Sequence, residues 1–165
     1  VLATSNKGKV VEIKNMMNGY EVINYTDIIP PFHIEEDGLT FKENAVIKAK
    51  AVFDALGDNE AIVLSDDSGI CVDVLDGAPG IYSARYAGEG ANDKENLQKL
   101  VESIKEVGFE TSSAHYTAAI AIATKDGIFT VHGRSADDSR GPRPGRMHTS
   151  RPAAGHADCL GTIEI

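Results

Sequence analysis

With 165 residues, 42% of them hydrophobic and 25% charged, the chain has the makings of one folded domain, since this length buries roughly 70% of the unfolded surface. No run approaches the ~18 to 20 apolar residues of a membrane helix, and the start of the chain lacks the basic, apolar and cleavage regions of a signal peptide, so a soluble cytoplasmic protein without a membrane partner is expected. A net charge of −9 argues against a nucleic-acid-coating surface but leaves room for a phosphate-bearing small molecule held by a few lysines and a metal ion.

Val1 to Ala3 reads as the end of an apolar strand, and Val10, Ile13 and Met17 keep helical spacing until Asn18-Gly19. Tyr20 to Tyr25 reads as a short strand, and Ile28 to Gly38, with Pro30-Pro31 and three consecutive acids, as a loop. Thr40 and Glu43 have capping-box spacing, and Phe41, Ala45, Ala49, Val52 and Leu56 form one apolar face of a helix ending at Gly57. Ala61 to Leu64 is a buried-type strand. Ile70, Val72 and Val74 alternate in a second strand after the polar segment Ser65 to Gly69. A glycine-rich loop covers Asp76 to Gly90. A third helix then starts near Asn92, with Glu95 three residues on, points Leu97, Leu100, Val101, Ile104 and Val107 inward, and stops at Gly108. Ala114 to Thr124 and Ile128 to His132 flank Lys125-Asp126-Gly127 as a hairpin. The body is therefore α/β with a mixed sheet.

The composition changes abruptly near residue 133. Up to that point there are ten lysines and one arginine, Arg85; from Gly133 on there are five arginines and no lysine. Between Gly133 and Cys159 there is no Val, Ile, Leu or aromatic residue, so this segment has almost nothing to bury. Two domains of unlike character are expected: a folded body over 1–132, and an Arg/Pro/Gly-rich tail over 133–165 of foreign or frame-shifted origin. The absence of an initiator Met agrees with a fragment. Cys71 and Cys159 give neither a disulfide framework nor a CxxC spacing.

Three groups of residues could carry chemistry. Thr4-Ser5-Asn6-Lys7-Gly8-Lys9 joins strand to helix with small hydroxyls, backbone amides and two ammonium groups, which suit a phosphate chain, although a capped polar turn has the same composition and the Walker A pattern is absent. Glu35-Glu36-Asp37 and Asp66-Asp67 supply the hard oxygens that Mg²⁺ prefers, against the alternative that acidic runs are solvated loop faces. An extended Asp66-Asp67 pair would aim its two carboxylates to opposite sides. Asn44 and Lys48 lie one turn apart, off the apolar stripe, and could face one ligand. His33, His115 and His132 have no zinc-binding spacing.

Taken together and in order, Thr4 to Lys9, Glu35 to Ala45 with Lys48-Ala49, Ser65 to Gly69, and Gly77 to Tyr86 including Arg85 resemble the inosine triphosphate pyrophosphatase family over residues 1 to 132. The resemblance implies an α/β fold with a long central mixed β-sheet flanked by helices in two lobes, with a substrate cleft between them. It also implies a homodimer and Mg²⁺-dependent cleavage of the purine nucleoside triphosphates ITP, dITP or XTP to monophosphate and pyrophosphate. By motif position, Thr4, Ser5, Asn6, Lys7, Gly8 and Lys9 would hold the triphosphate and Lys48 would neutralise it. Glu36 and Asp67 would bind Mg²⁺, Asp67 would also orient or deprotonate the attacking water, and Ser68 would touch substrate. Asp66, Asn44 and Arg85 are secondary candidates.

The sequence departs from the family pattern after residue 132. The FGYD segment and the Ser-His-Arg segment that close the site and read the purine are absent, so the C-terminal part of the fold is expected to be incomplete and turnover impaired. Two other readings stay open: a catalytically inactive nucleotide-binding module, and a Maf-like pyrophosphatase acting on pyrimidine or modified nucleotides. Five dispersed arginines beside an acidic body give little footprint for nucleic acid.

Overall fold

Capping boxes fix the start of the two longest helices. In α2, Phe41–Leu56, the Thr40 hydroxyl accepts from the Glu43 amide while the Glu43 carboxylate reaches back to the Thr40 amide, and Gly57 closes the helix at φ +63°. In α3, Asp93–Glu106, Asn92 and Glu95 repeat the arrangement. A shorter helix, α1, runs Lys7–Met16 behind an Asn6 cap. These starts follow from residues three apart in sequence, and they match the expected positions.

The computed structural model describes residues 1–135 and 160–164. Its strands are β1 Val63–Val72, β2 Thr111–Thr124, β3 Gly127–Ser135 and β4 Leu160–Glu164. The sheet order is β1-β2-β3, an antiparallel arrangement, and β4 pairs antiparallel with Thr111 to His115 of β2. The long mixed sheet expected from the family resemblance is therefore not what the described residues form. Among the described residues, parallel pairing is confined to two single bridges, Leu2 with Asn24 and Leu2 with Leu64. The apolar ends at Val1 to Ala3 and Tyr20 to Tyr25 contribute those bridges rather than full strands, and a short 3-10 turn, Tyr25–Asp27, follows at once. The expected foreign segment lies, for residues 136–159, outside the described residues.

A second correction concerns Ser65 to Gly69. The sequence reads as two strands separated by this polar segment, but these residues are the middle of the continuous strand β1. Ladder hydrogen bonds are supplied by a partner strand remote in sequence and do not depend on apolar side chains. Two of these residues also have local roles. The buried Ser65 hydroxyl donates to the Ala45 carbonyl at 2.5 Å. A Cβ on Gly69 would lie 2.3 Å from the Gly80 carbonyl oxygen and 2.4 Å from Ser83 Oγ, so no larger residue fits there. Strand β1 ends at Val72, so Val74, expected in the strand, lies in a 3-10 turn, Asp73–Leu75, and the glycine-rich segment that follows contains another, Gly80–Arg85.

Two compact units divide the chain: Val1–Asp67 with Ala119–His132, and Ser68–Ala118 with Gly133–Ile165. In the first unit, the face of α2 formed by Ala45, Ala49 and Val52 packs with Ala3, Tyr25, Val63 and the alternating alanines 119, 121 and 123 of β2. Small residues on β2 let the helix approach the sheet closely, as interior packing density requires. The core of the second unit gathers Val72, Leu100, Ile104 and Ala114, with Ile70, Val74, Leu75 and Tyr86 against it. Leu97 and Val107, expected to point inward from α3, are exposed; Val107 is the C-cap, where the backbone has left helical geometry. No helix among the described residues is long and apolar enough to cross a membrane.

Candidate functional site

Strand alternation turns the two adjacent aspartates of β1 toward different helices. Ser65 and Asp67 share one face of β1 and both meet α2: Ser65 through the Ala45 carbonyl, Asp67 through Lys48. Asp66, on the opposite face, meets the start of α1 through Lys9, Nζ to Oδ2 2.5 Å. The divergence expected from the sequence is thus realised, with a separate ammonium group for each carboxylate.

Lys48 links two acidic segments. Its Nζ lies 3.0 Å from Glu36 Oε2 and 3.1 Å from Asp67 Oδ1. Both oxygens sit at hydrogen-bond distance from one nitrogen, so their separation cannot exceed two such lengths. The Lys48 and Asp67 side chains are each only 13% exposed, whereas Glu36 is 30% exposed. Two carboxylates ~4 Å apart would repel by about 4 kcal/mol at an effective dielectric of 20, and the ammonium group between them offsets that repulsion. Asp67 Oδ2 is buried and has no hydrogen-bond partner among the described residues. An ionised oxygen left in that state is costly unless a cation or proton donor meets it.

That orphaned oxygen, together with hard carboxylate ligands, fits a divalent cation. No group of three His, Cys, Asp or Glu side chains gathers as a metal set among the described residues. One or two protein carboxylates, with water and substrate phosphate completing the coordination, are the donor set suited to Mg²⁺ rather than to zinc.

The segment Thr4 to Lys9 is a tightly bonded turn. Thr4 Oγ1 accepts from the Asn6 amide, and Asn6 Oδ1 accepts from the amides of Gly8 at 2.8 Å and Lys9 at 3.2 Å. Two of the amides expected to face a phosphate are therefore satisfied by the cap. Ser5, Asn6, Lys7 and Gly8 are exposed, so the turn offers an ammonium group and a hydroxyl at a helix N-terminus.

Asn44 is placed differently from the expectation. It is 1% exposed, and its Oδ1 accepts from the Gly38 amide at 2.9 Å instead of pointing outward beside Lys48. Ser68 and Arg85 belong to the second unit. There the Arg85 guanidinium lies 5.3 Å from the Tyr82 ring centroid, with Nε 3.8 Å from Glu89 Oε1. Three residues to which the sequence alone assigns no role support the site or its strand: Ser65, Gly38 and Ser83. All are small; Gly38 and Ser65 adjoin acidic residues, and Ser83 carries no such signal.

The chain matches the Ham1 family over residues 1–143. It is 53% identical over 145 residues to the dITP/XTP pyrophosphatase of Nautilia profundicola, covering 86% of this chain and 73% of that protein. It is 58% identical over 137 residues to the protein of that name from Sulfurimonas denitrificans, covering 81% and 69%. Among solved structures, the Staphylococcus aureus Ham1 protein superposes with a TM-score of 0.69 at 38% identity, covering 81% of this chain and 68% of that one. The four motifs, the α/β fold and these likenesses converge: the chain belongs to the Ham1 family, the inosine triphosphate pyrophosphatase-like proteins.

Proposed function

We propose that the chain is a nucleoside triphosphate pyrophosphohydrolase acting on nonstandard purine nucleotides, releasing monophosphate and pyrophosphate with Mg²⁺ as cofactor. Relatives named dITP/XTP pyrophosphatase support the substrate class. The observation that carries the reading is Lys48 held between Glu36 and Asp67 while Asp67 Oδ2 is buried without a hydrogen-bond partner among the described residues.

Glu36 and Asp67 would hold the metal, which when bound would supply positive charge to offset the negative charge building on the pyrophosphate leaving group. Lys48 and Lys9 bind the triphosphate oxygens, trading carboxylate partners for phosphate. Asp67 orients the attacking water and accepts its proton. Thr4 to Gly8 frame the phosphate entrance at the start of α1, and Ser68 contacts substrate. No covalent nucleophile is required, so catalysis consists of positioning and charge compensation. The working form is a cytoplasmic homodimer. Residues 133–165 carry neither an FGYD nor a Ser-His-Arg segment, and with those residues in place discrimination between purine bases is weakened.

The test is pyrophosphate release from ITP, XTP, ATP and a pyrimidine triphosphate, with and without Mg²⁺. Metal-dependent release from ITP and XTP, with ATP poorly excluded, is the expected result. Strong ITP selectivity would overturn the proposed loss of base reading. Triphosphate binding without release would make the chain a nucleotide-binding module, and preference for the pyrimidine would move it to a Maf-like activity.

A further inference from the structure

Asn44 is a costly residue for its position. Its side chain is fully enclosed in the first unit, yet only one of its two polar groups is satisfied: Oδ1 accepts from the Gly38 amide at 2.9 Å, and Nδ2 has no partner among the described residues. An apolar residue of similar volume would avoid that buried, unpaired donor, so nothing in packing calls for an amide here. What the amide does is grip the acidic loop. Gly38 is two residues from Glu36, and Lys48, one helical turn beyond Asn44, binds Glu36 directly at 3.0 Å.

The grip extends along consecutive amides. The Gly38 N–H donates to Asn44, and those of Leu39 and Thr40 both donate to Glu43 Oε2, at 2.7 and 3.1 Å. The approach at Gly38 is too close for any side chain: a Cβ there would lie 2.6 Å from Asn44 Oδ1, 2.7 Å from Glu43 Cβ and 3.0 Å from the Asn44 amide nitrogen. A residue at 38 and the Asn44 bond are therefore mutually exclusive.

We propose that Asn44 is a positioning residue for Glu36, acting through the Gly38 amide to fix the acidic loop on α2 so that the Glu36 carboxylate is held for the divalent ion. This rests on the reading of Glu36 as a metal ligand. Glu43 anchors the next two amides, and Asn44 sets where the chain enters that anchor. Asn44 itself touches neither metal nor substrate in this role.

The test uses the full chain, with Mn²⁺ alone as the probe, calorimetry for its binding, and hydrogen exchange over the peptide spanning residues 34–40. In Asn44→Ala, exchange in that peptide should speed up while amides inside α2 stay as protected as before. Mn²⁺ affinity should fall about tenfold, the scale seen when a residue supporting a metal ligand is removed. In a Glu36→Gln background, the same substitution should change Mn²⁺ affinity by less than about twofold, because the ligand it positions is already gone. Gly38→Ala should reproduce both effects without emptying the core, and it decides the matter if Asn44→Ala does not fold. Equal losses of affinity in the two backgrounds, or unchanged exchange over 34–40, would overturn the proposal. A wild-type chain that binds no Mn²⁺ would instead remove the metal reading, and the positioning role with it.

Discussion

Lys48 Nζ stands 3.1 Å from Asp67 Oδ1 in a largely buried pair, while the other oxygen of the same carboxylate has no hydrogen-bond partner among the described residues. A single lysine thus satisfies half of the acid proposed to drive the reaction, and it also binds Glu36. A cation approaching these carboxylates competes with the ammonium group already there.

Lys48→Met should therefore act in opposite directions on two ligands. Removing the resident cation should raise Mn²⁺ affinity about tenfold, equivalent to about 1.4 kcal/mol, and weaken tripolyphosphate binding by at least as much. Calorimetry of each ligand separately checks this. Parallel losses of both would mean that Lys48 holds the site together without competing for it.

Asp67→Asn should lower turnover by about 100-fold or more, since the group accepting the proton of water is lost. The amide keeps shape and volume, so the circular dichroism spectrum should stay close to that of the unsubstituted chain. Normal turnover would remove Asp67 from its assigned role.

Gly69→Ala tests the strand that carries the aspartates. The added methyl meets the Gly80 carbonyl oxygen and Ser83 Oγ, while Ser83 itself bonds Ile70 N at 2.9 Å and Gly80 O at 2.6 Å. Backbone must shift to admit it, and overpacking of this kind costs about 1 to 3 kcal/mol. Urea unfolding should report a loss in that range.

His115 gives the second unit a pH dependence. Burial first, and then the Arg134 guanidinium whose Nη2 is 3.0 Å from Nδ1, lower its pKa from the ordinary value, with Asp73 at 3.9 Å pulling the other way. The unfolded chain takes up this proton more readily than the folded one. Stability is therefore complete above the ordinary histidine value of about 6.5 and declines as pH falls from there through the depressed folded value. His115→Gln should flatten the fall in melting temperature between about pH 7 and pH 5, the window set by a histidine titrating below its ordinary value.

Legibility followed the range of the interactions involved. The starts of α2 and α3 are encoded by Thr40 with Glu43 and by Asn92 with Glu95, and these were readable because both partners lie within one turn. Strand β1 was not readable as one element, because the bonds that hold Ser65 to Gly69 extended come from elsewhere in the chain. Asp67, Lys48 and Glu36 were identified by type and motif, and the structure brings them together. Asn44 was misplaced because helical spacing alone cannot tell an outward polar residue from one buried to bind a loop. Leu97 and Val107 fit the apolar period of α3 but sit where the helix is no longer covered.

The separate partners of Asp66 and Asp67 make the site sensitive to parity. Odd-numbered Ser65 and Asp67 face one helix, and even-numbered Asp66 faces the other. A single residue gained or lost just upstream in β1 would hand each acid to the wrong base, whereas a change of two would restore the match at a shifted depth. Evolution or engineering can thus lengthen this strand only in steps of two without rewiring its charges.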